Sequence, residues 1–297
     1  MKGMITSIIT LAFFLALFGA LVLEMQSKEL RIRNKGDALI VYRLSQDFRE
    51  VGFNIRRIIG INANVTRENG KVILNISDFF ENIDFSAGIL NFEDFVMNKS
   101  IGNKIFDITF GTTPNSTESI IIEPYGIYYG YGNYAKYNIS IYKPDANIAA
   151  NITYYELIIN VPYYVNASAS SATLYNCTTL EESELCRPIY INVTGTDGSY
   201  FSVADKLFTD ETSIMHVVFN DTSTYINITF GKDTSNNNGT LVIVYSDDDI
   251  KADLNFRFDL NATNVREPVR LVFNQDVIVS NKLFEIEKRD KVVLTEG

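Results

Sequence analysis

Met4 to Leu23 reads MITSIITLAFFLALFGALVL, twenty residues without a charge, and no other feature constrains this chain as strongly. A helix rising about 1.5 Å per residue would carry that run across the roughly 30 Å hydrocarbon core of a bilayer. A cleaved secretory signal would have a shorter apolar core closed by a small-x-small site, and this run has none. Residues 1–23 are therefore read as a retained single-pass anchor in contact with membrane lipid.

Which side the rest of the chain occupies is decided by three observations that disagree. Only Lys2 precedes the apolar run, while Lys28, Arg31, Arg33 and Lys35 follow it, and the positive-inside rule alone would keep the C-terminal part in the cytoplasm. Against this stand thirteen Asn-x-Ser/Thr acceptors, at Asn64, Asn75, Asn98, Asn115, Asn138, Asn151, Asn166, Asn176, Asn192, Asn220, Asn227, Asn238 and Asn261. Random order of the chain's Asn, Ser and Thr would give about a third of that number. Six have Ile or Val at the centre, a pattern that alternating strands also produce unselected, with the polar pair on the wet face and the branched residue inward. The third observation is the pair Cys177 and Cys186, the only cysteines, which enclose the polar loop TTLEESEL. Closely spaced cysteines in an otherwise cysteine-free chain read as one disulfide formed in an oxidising compartment; two free thiols are the alternative, and a metal pair has no nearby histidine. Acceptors and cysteines together outweigh the basic residues. The expected location is the cell membrane, with residues 24–297 outside.

Behind the anchor comes a polar stretch, EMQSKELRIRNKGD, and then an apolar stripe at Val41, Leu44, Phe48, Val51, Ile55 and Ile58. Its steps alternate three and four, which puts the six side chains on one face of a helix. Residues 24–60 form this stalk, with a local charge of +3 inside a chain of net charge −10. Gly36 marks the weakest point, costing about 1 kcal/mol relative to Ala in a helix, and Gly60 suits the stop.

Lys2-Gly3 directly before the apolar run, followed by an amphipathic helix and a β-rich remainder, resembles an archaeal type IV pilin. The resemblance implies removal of a short basic leader, residues 1–3, by cleavage between Gly3 and Met4. It further implies packing of the N-terminal helix against other pilin-like subunits in a filament. It covers residues 1–60, and it departs from many bacterial members in placing Ile8, not glutamate, at the fifth mature position. The size of the remainder fits a minor or tip subunit better than a major one.

From residue 61 short Val/Ile/Tyr/Phe/Thr-rich runs alternate with turn residues, as in an antiparallel β domain. Strands are expected at Asn62–Thr66, Lys71–Ser77, Ile105–Phe110, Ser119–Glu123, Lys136–Tyr142, Ile152–Val161 and Ile189–Val193. More follow at Met215–Asn220, Tyr225–Phe230, Thr240–Ser246, Leu254–Leu260, Val269–Asn274 and Leu283–Glu287. Asn69-Gly70 is a hairpin signal, since both residues tolerate positive φ. Turns are expected at Thr196-Asp197-Gly198, Asn238-Gly239 and Arg289-Asp290, and a short helix within Ser86–Met97. The fold class is thus α+β: a long transmembrane and amphipathic helix, then a mainly antiparallel β-sandwich ectodomain over residues 61–297. That ectodomain is one large sandwich, or two small ones divided near 161–171, where VPYYVNASASS is rich in Ser and Ala.

Chemistry is sparse. The single histidine, His216, lies in an apparent strand without a nucleophile-elbow sequence, and reads as structural. Asp247, Asp248 and Asp249, with Asp253, offer hard oxygens to calcium, but without EF-hand spacing a solvated acidic turn is the favoured reading. No phosphate-cradling glycine loop occurs, no cofactor is implied, and the acidic balance argues against nucleic acid. The tyrosine-rich segment Tyr125–Tyr137 suits an interface or carbohydrate stacking, or else an edge loop packed on the protein's own surface. The expected role is structural and not enzymatic: a pilin-like subunit of a surface filament. The alternative is a single-pass surface glycoprotein whose head binds carbohydrate, another cell or an S-layer as an adhesin or receptor.

Overall fold

The computed structural model describes residues 22–25, 28, 39–68, 70–80, 88, 91–92, 94–95, 104–109, 118–131, 138–144, 148, 151–177, 185–220, 224–232, 237–246, 250–261, 268–281 and 286–296. The described part is mostly β. Helix α1, residues 39–59, is followed by sixteen strands. They are β1 (Asn62–Glu68), β2 (Lys71–Phe80), β3 (Lys104–Thr109), β4 (Glu118–Glu123), β5 (Ile127–Tyr131), β6 (Asn138–Tyr142), β7 (Ile152–Val161) and β8 (Ser171–Thr173). The second half holds β9 (Cys186–Gly195), β10 (Tyr200–Phe208), β11 (Thr212–Phe219), β12 (Thr224–Gly231), β13 (Thr240–Tyr245), β14 (Ala252–Asn261), β15 (Arg270–Asn281) and β16 (Ile286–Glu296).

Two sheets face each other. The six-stranded sheet runs β1-β2-β14-β7-β9-β10, and the ten-stranded one runs β16-β15-β4-β5-β6-β13-β12-β11-β8, with β3 pairing the far half of β15. Every pairing is antiparallel except β7 with β9. That exception follows from the route of the chain, which leaves β7, visits the other sheet as β8 and returns, because parallel neighbours need a crossover. Strands from both sides of residues 161–171 share each sheet: β14 lies between β2 and β7, and β13 pairs β6. One apolar cluster joins them, with Leu74 and Ile76, Leu157 and Ile159, and Phe256 and Phe258 from the first sheet against Ile139, Phe230, Ile243 and Phe273 from the second. Along β7, Tyr155, Leu157, Ile159 and Val161 are buried and the residues between them are not, the alternation that a half-buried strand requires.

Helix α1 packs beside β16. Leu44, Phe48, Val51, Ile55 and Ile59 are buried, Gly52 closes on Val292 at 3.3 Å from the position a Cβ would take, and the Lys288 ammonium lies 4.8 Å from the Phe48 ring centroid. The expected stripe holds from Leu44 to Ile55 and then shifts: Ile58 is half-buried and Ile59 takes the buried place. Val41 corrects the reading at the other end, since it is 54% exposed, together with Leu39 and Tyr42. Val41 is in phase with a seam that, among the described residues, begins only at Leu44. Gly88, Asn91, Phe92, Asp94 and Phe95 are helical, as expected within 86–97.

Three strands and one turn differ from what the sequence pattern predicts. β5 is a central strand, not an edge loop, and Tyr125 and Tyr129 are buried. β8 is three residues long, too short to show a period. β10, YFSVADKLF, is an edge strand whose charged residues dilute the apolar pattern. Arg289 and Asp290 lie within β16 and pair Ile278 and Val277, so the β15-to-β16 turn comes earlier. The Asn69-Gly70 signal is a hairpin: Gly70 has φ +75° and Glu68 pairs Lys71.

Candidate functional site

Alternation in β2 puts Val72, Leu74, Ile76 and Asp78 on the same inward face. The first three are core; Asp78 is a carboxylate 5% exposed between the sheets. It accepts hydrogen bonds from the Tyr129 hydroxyl at 2.9 Å and from the Phe79 N–H at 2.9 Å. Tyr129 comes from β5 in the opposite sheet and meets Phe256 edge-on at 5.4 Å. The Tyr245 phenol on β13 is pushed well up by burial and, less, by the charge of Asp78. This buried cluster was missed from sequence, although Asp78 being in phase with three core residues was a legible signal. The Tyr129 bond to Asp78 ties one sheet to the other.

A second polar tie lies at one end of the sandwich. The Tyr155 hydroxyl donates to the Gly239 carbonyl at 2.9 Å, and burial raises that phenol far above its ordinary range. Nearby in the chain, Gly239 N–H donates to the Thr209 carbonyl and Thr209 N–H to the Leu185 carbonyl. Leu185 precedes Cys186, which forms a disulfide with Cys177 at a Cα–Cα distance of 6.2 Å. Cys177 N–H donates to the Lys206 carbonyl and Phe208 N–H to the Tyr175 carbonyl, so residues 175–177 follow β10. The bridge thus fastens the start of β9 to that segment.

His216, half-buried on the outer face of β11, stands 2.8 Å through Nδ1 from Asn227 Oδ1 and packs against the Tyr225 ring at 4.5 Å. Asn227 is opposite it in register on β12. These contacts make His216 a cross-strand spacer. Asp247, Asp248 and Asp249 lie outside the described residues, and Asp253 is exposed on the outer face of β14. Among the described residues no group of three His, Cys, Asp or Glu is placed to hold a metal ion.

Eleven of the thirteen asparagine acceptors fall on described residues. Asn98 and Asn115 lie outside the described residues; of the others, Asn64, Asn176, Asn220 and Asn261 are exposed and Asn75, Asn138, Asn151, Asn166, Asn192, Asn227 and Asn238 are half-buried. Asn64, Asn75 and Asn192 are on the outer face of the six-stranded sheet, and Asn138 and Asn227 on that of the ten-stranded sheet. Several side chains are already engaged through the oxygen. Asn151 Oδ1 accepts from Lys143 at 2.9 Å, Asn166 Oδ1 from Ala169 N–H at 3.2 Å, and Asn220 Oδ1 from Tyr164 N–H at 3.1 Å. Asn176 instead donates through Nδ2 to Asp205 at 2.7 Å. No described asparagine of the set is buried, which is the geometry that modification of a folded head requires.

The anchor and the leader site fall elsewhere. Of the apolar run only Val22 and Leu23 are described, both helical and exposed; Gly3 and Met4 lie outside the described residues. Among the described residues no helix is long and apolar enough to cross a membrane. Comparison with protein-family models, curated proteins and solved structures gives no match.

Proposed function

We propose that this chain is a membrane-inserted, pilin-like structural subunit whose β head is glycosylated and faces the medium. The observation that carries the reading is how α1 meets the head. It docks by one face from Leu44 onward, while Leu39, Val41, Tyr42 and Phe53 stay exposed. The chain ahead of it contains the uncharged run 4–23. A stalk of this kind suits a helix that continues from a membrane anchor and keeps a second apolar surface for other helices at Leu39, Tyr42 and Phe53, with Val41 extending the docking face ahead of the head. In a filament core a bundle of such helices would replace lipid around the apolar run. The head's many solvent-accessible acceptors and its disulfide support an oxidising, extracellular setting.

Shearing native cells and sequencing the released protein from its N-terminus tests this. The expected result is filament-borne protein that begins at Met4. Intact Met1 would remove the leader cleavage, and retention of all the protein with sheared membranes would favour the adhesin reading.

A further inference from the structure

The β1–β2 hairpin holds two acceptors in a single register pair, Asn64 opposite Asn75. Val65 and Ala63 turn toward the core, as do Leu74 and Ile76, so both asparagines leave the same outer face. Directly opposed residues on paired strands have Cβ atoms about 5 Å apart. A sugar ring is about as wide as that gap and bonds directly to the amide nitrogen, so two rings at one pair position would crowd each other.

Surroundings then separate the two candidates. Asn64 is exposed on β1, the edge strand of its sheet. Asn75 is half-buried on β2, which is paired on both sides: Asn64 flanks it on one side and Arg257 of β14 on the other. Arg257 is fixed in place, with Nε 3.2 Å from Asp259 Oδ1 and its guanidinium over the Tyr154 ring. The hydroxyl that completes the second acceptor is also engaged, since Ser77 Oγ donates to Asn255 Oδ1 at 2.8 Å.

We infer that the head selects between its own acceptors, so that this hairpin carries one glycan, on Asn64, and Asn75 stays bare. In the transfer Asn64 Nδ2 loses one proton and bonds to the anomeric carbon of a glycosyl phosphate donor. The donor's carbon–oxygen bond breaks, and the phosphate leaves with the electron pair. Edge position matters because β1, although it also touches β16, is hydrogen-bonded to one strand only, so presenting Asn64 and Thr66 breaks a single ladder, whereas presenting Asn75 and Ser77 requires opening β2 from two.

The inference rests on the glycosylated-head reading, and one experiment separates their failures. The full-length protein is isolated from native cells, digested so that residues 61–77 stay on one peptide, and analysed by site-resolved mass spectrometry. The expected peptide bears a single glycan on Asn64. Two glycans on one peptide, a glycan on Asn75 with Asn64 bare, or a bare hairpin beside glycans elsewhere overturns the selection and leaves the wider reading standing. A chain bare at every acceptor removes both.

Discussion

At the scale of single residues, the two sheets are held in register by a few buried polar ties set in an otherwise apolar core. Tyr129→Phe keeps the ring's packing and removes one of the donors to Asp78. A carboxylate between the sheets then loses a bond it cannot replace with water, and the expected loss of stability is about 1.5–3 kcal/mol, read from denaturant midpoints. A loss near zero would mean that water reaches Asp78. The buried phenols set a limit of another kind. Tyr155 and Tyr245 are raised chiefly by burial, and so is Tyr125, whose rise Arg67 partly offsets. Below about pH 10 these groups are protonated in both states and contribute nothing to pH dependence. Above it the unfolded chain sheds protons that the folded one keeps, so stability falls as pH rises. Denaturant midpoints should therefore decline from about pH 10 upward, and Tyr155→Phe should lessen the slope even though it gives up the bond to Gly239. An unchanged slope would sink the assignment.

At the scale of elements, what the sequence disclosed depended on contrast between buried and exposed positions. β7 alternates strongly and the expected ends match to the residue; at the sheet edges β16 carries charges along most of its length and β10 has Asp205 and Lys206 interrupting its apolar residues, so neither shows a clean period. β5 was hidden differently, because tyrosine suits both a wet loop and a core, and only pairing with β4 and β6 decides between them. The α1 stripe was legible in phase and not in extent. Helical spacing tells which residues share a face, while where the face begins depends on the edge of a head that is folded from distant segments. Ile55→Ala should accordingly cost about 2–5 kcal/mol in an unfolding titration, since it opens a cavity at a fully buried position. Val41→Ala should stay within about 0.5 kcal/mol, as expected of an exposed site. Equal losses at the two positions would contradict the packing described. The disulfide was legible as a pair because no other cysteine competes for it. Replacing Cys177 and Cys186 together with Ser frees a loop of sequence separation 9. The chain-entropy cost of that is about 2–3 kcal/mol, checked by comparing oxidised and double-Ser proteins in urea.

At the scale of the whole molecule, sheet membership interleaves the chain. β2, which carries β1 on its other side, pairs with β14, and β4 pairs with β15, so neither sheet is complete until the last third of the sequence is in place. Such long-range pairing is not encoded in local pattern, which is why strands can be read one by one while the choice between one sandwich and two stays open. The same interleaving gives α1 a structural role separate from any in assembly, because it covers the side of the core next to β16 before β1 begins. Leu44, Phe48, Val51, Ile55 and Ile59 are each 8% exposed or less. At about 1.5–3 kcal/mol per fully buried side chain, together they contribute on the order of 10 kcal/mol. A domain's net stability is itself only about 5–15 kcal/mol, so the head cannot spare the helix. A truncated protein spanning residues 38–297 should therefore unfold cooperatively on heating, followed by circular dichroism. One spanning residues 61–297 should lack a cooperative transition and bind a hydrophobic dye. Should the shorter protein melt as sharply and at the same temperature as the longer one, α1 would be a stalk alone, and its buried face would have to be explained by contacts outside the head.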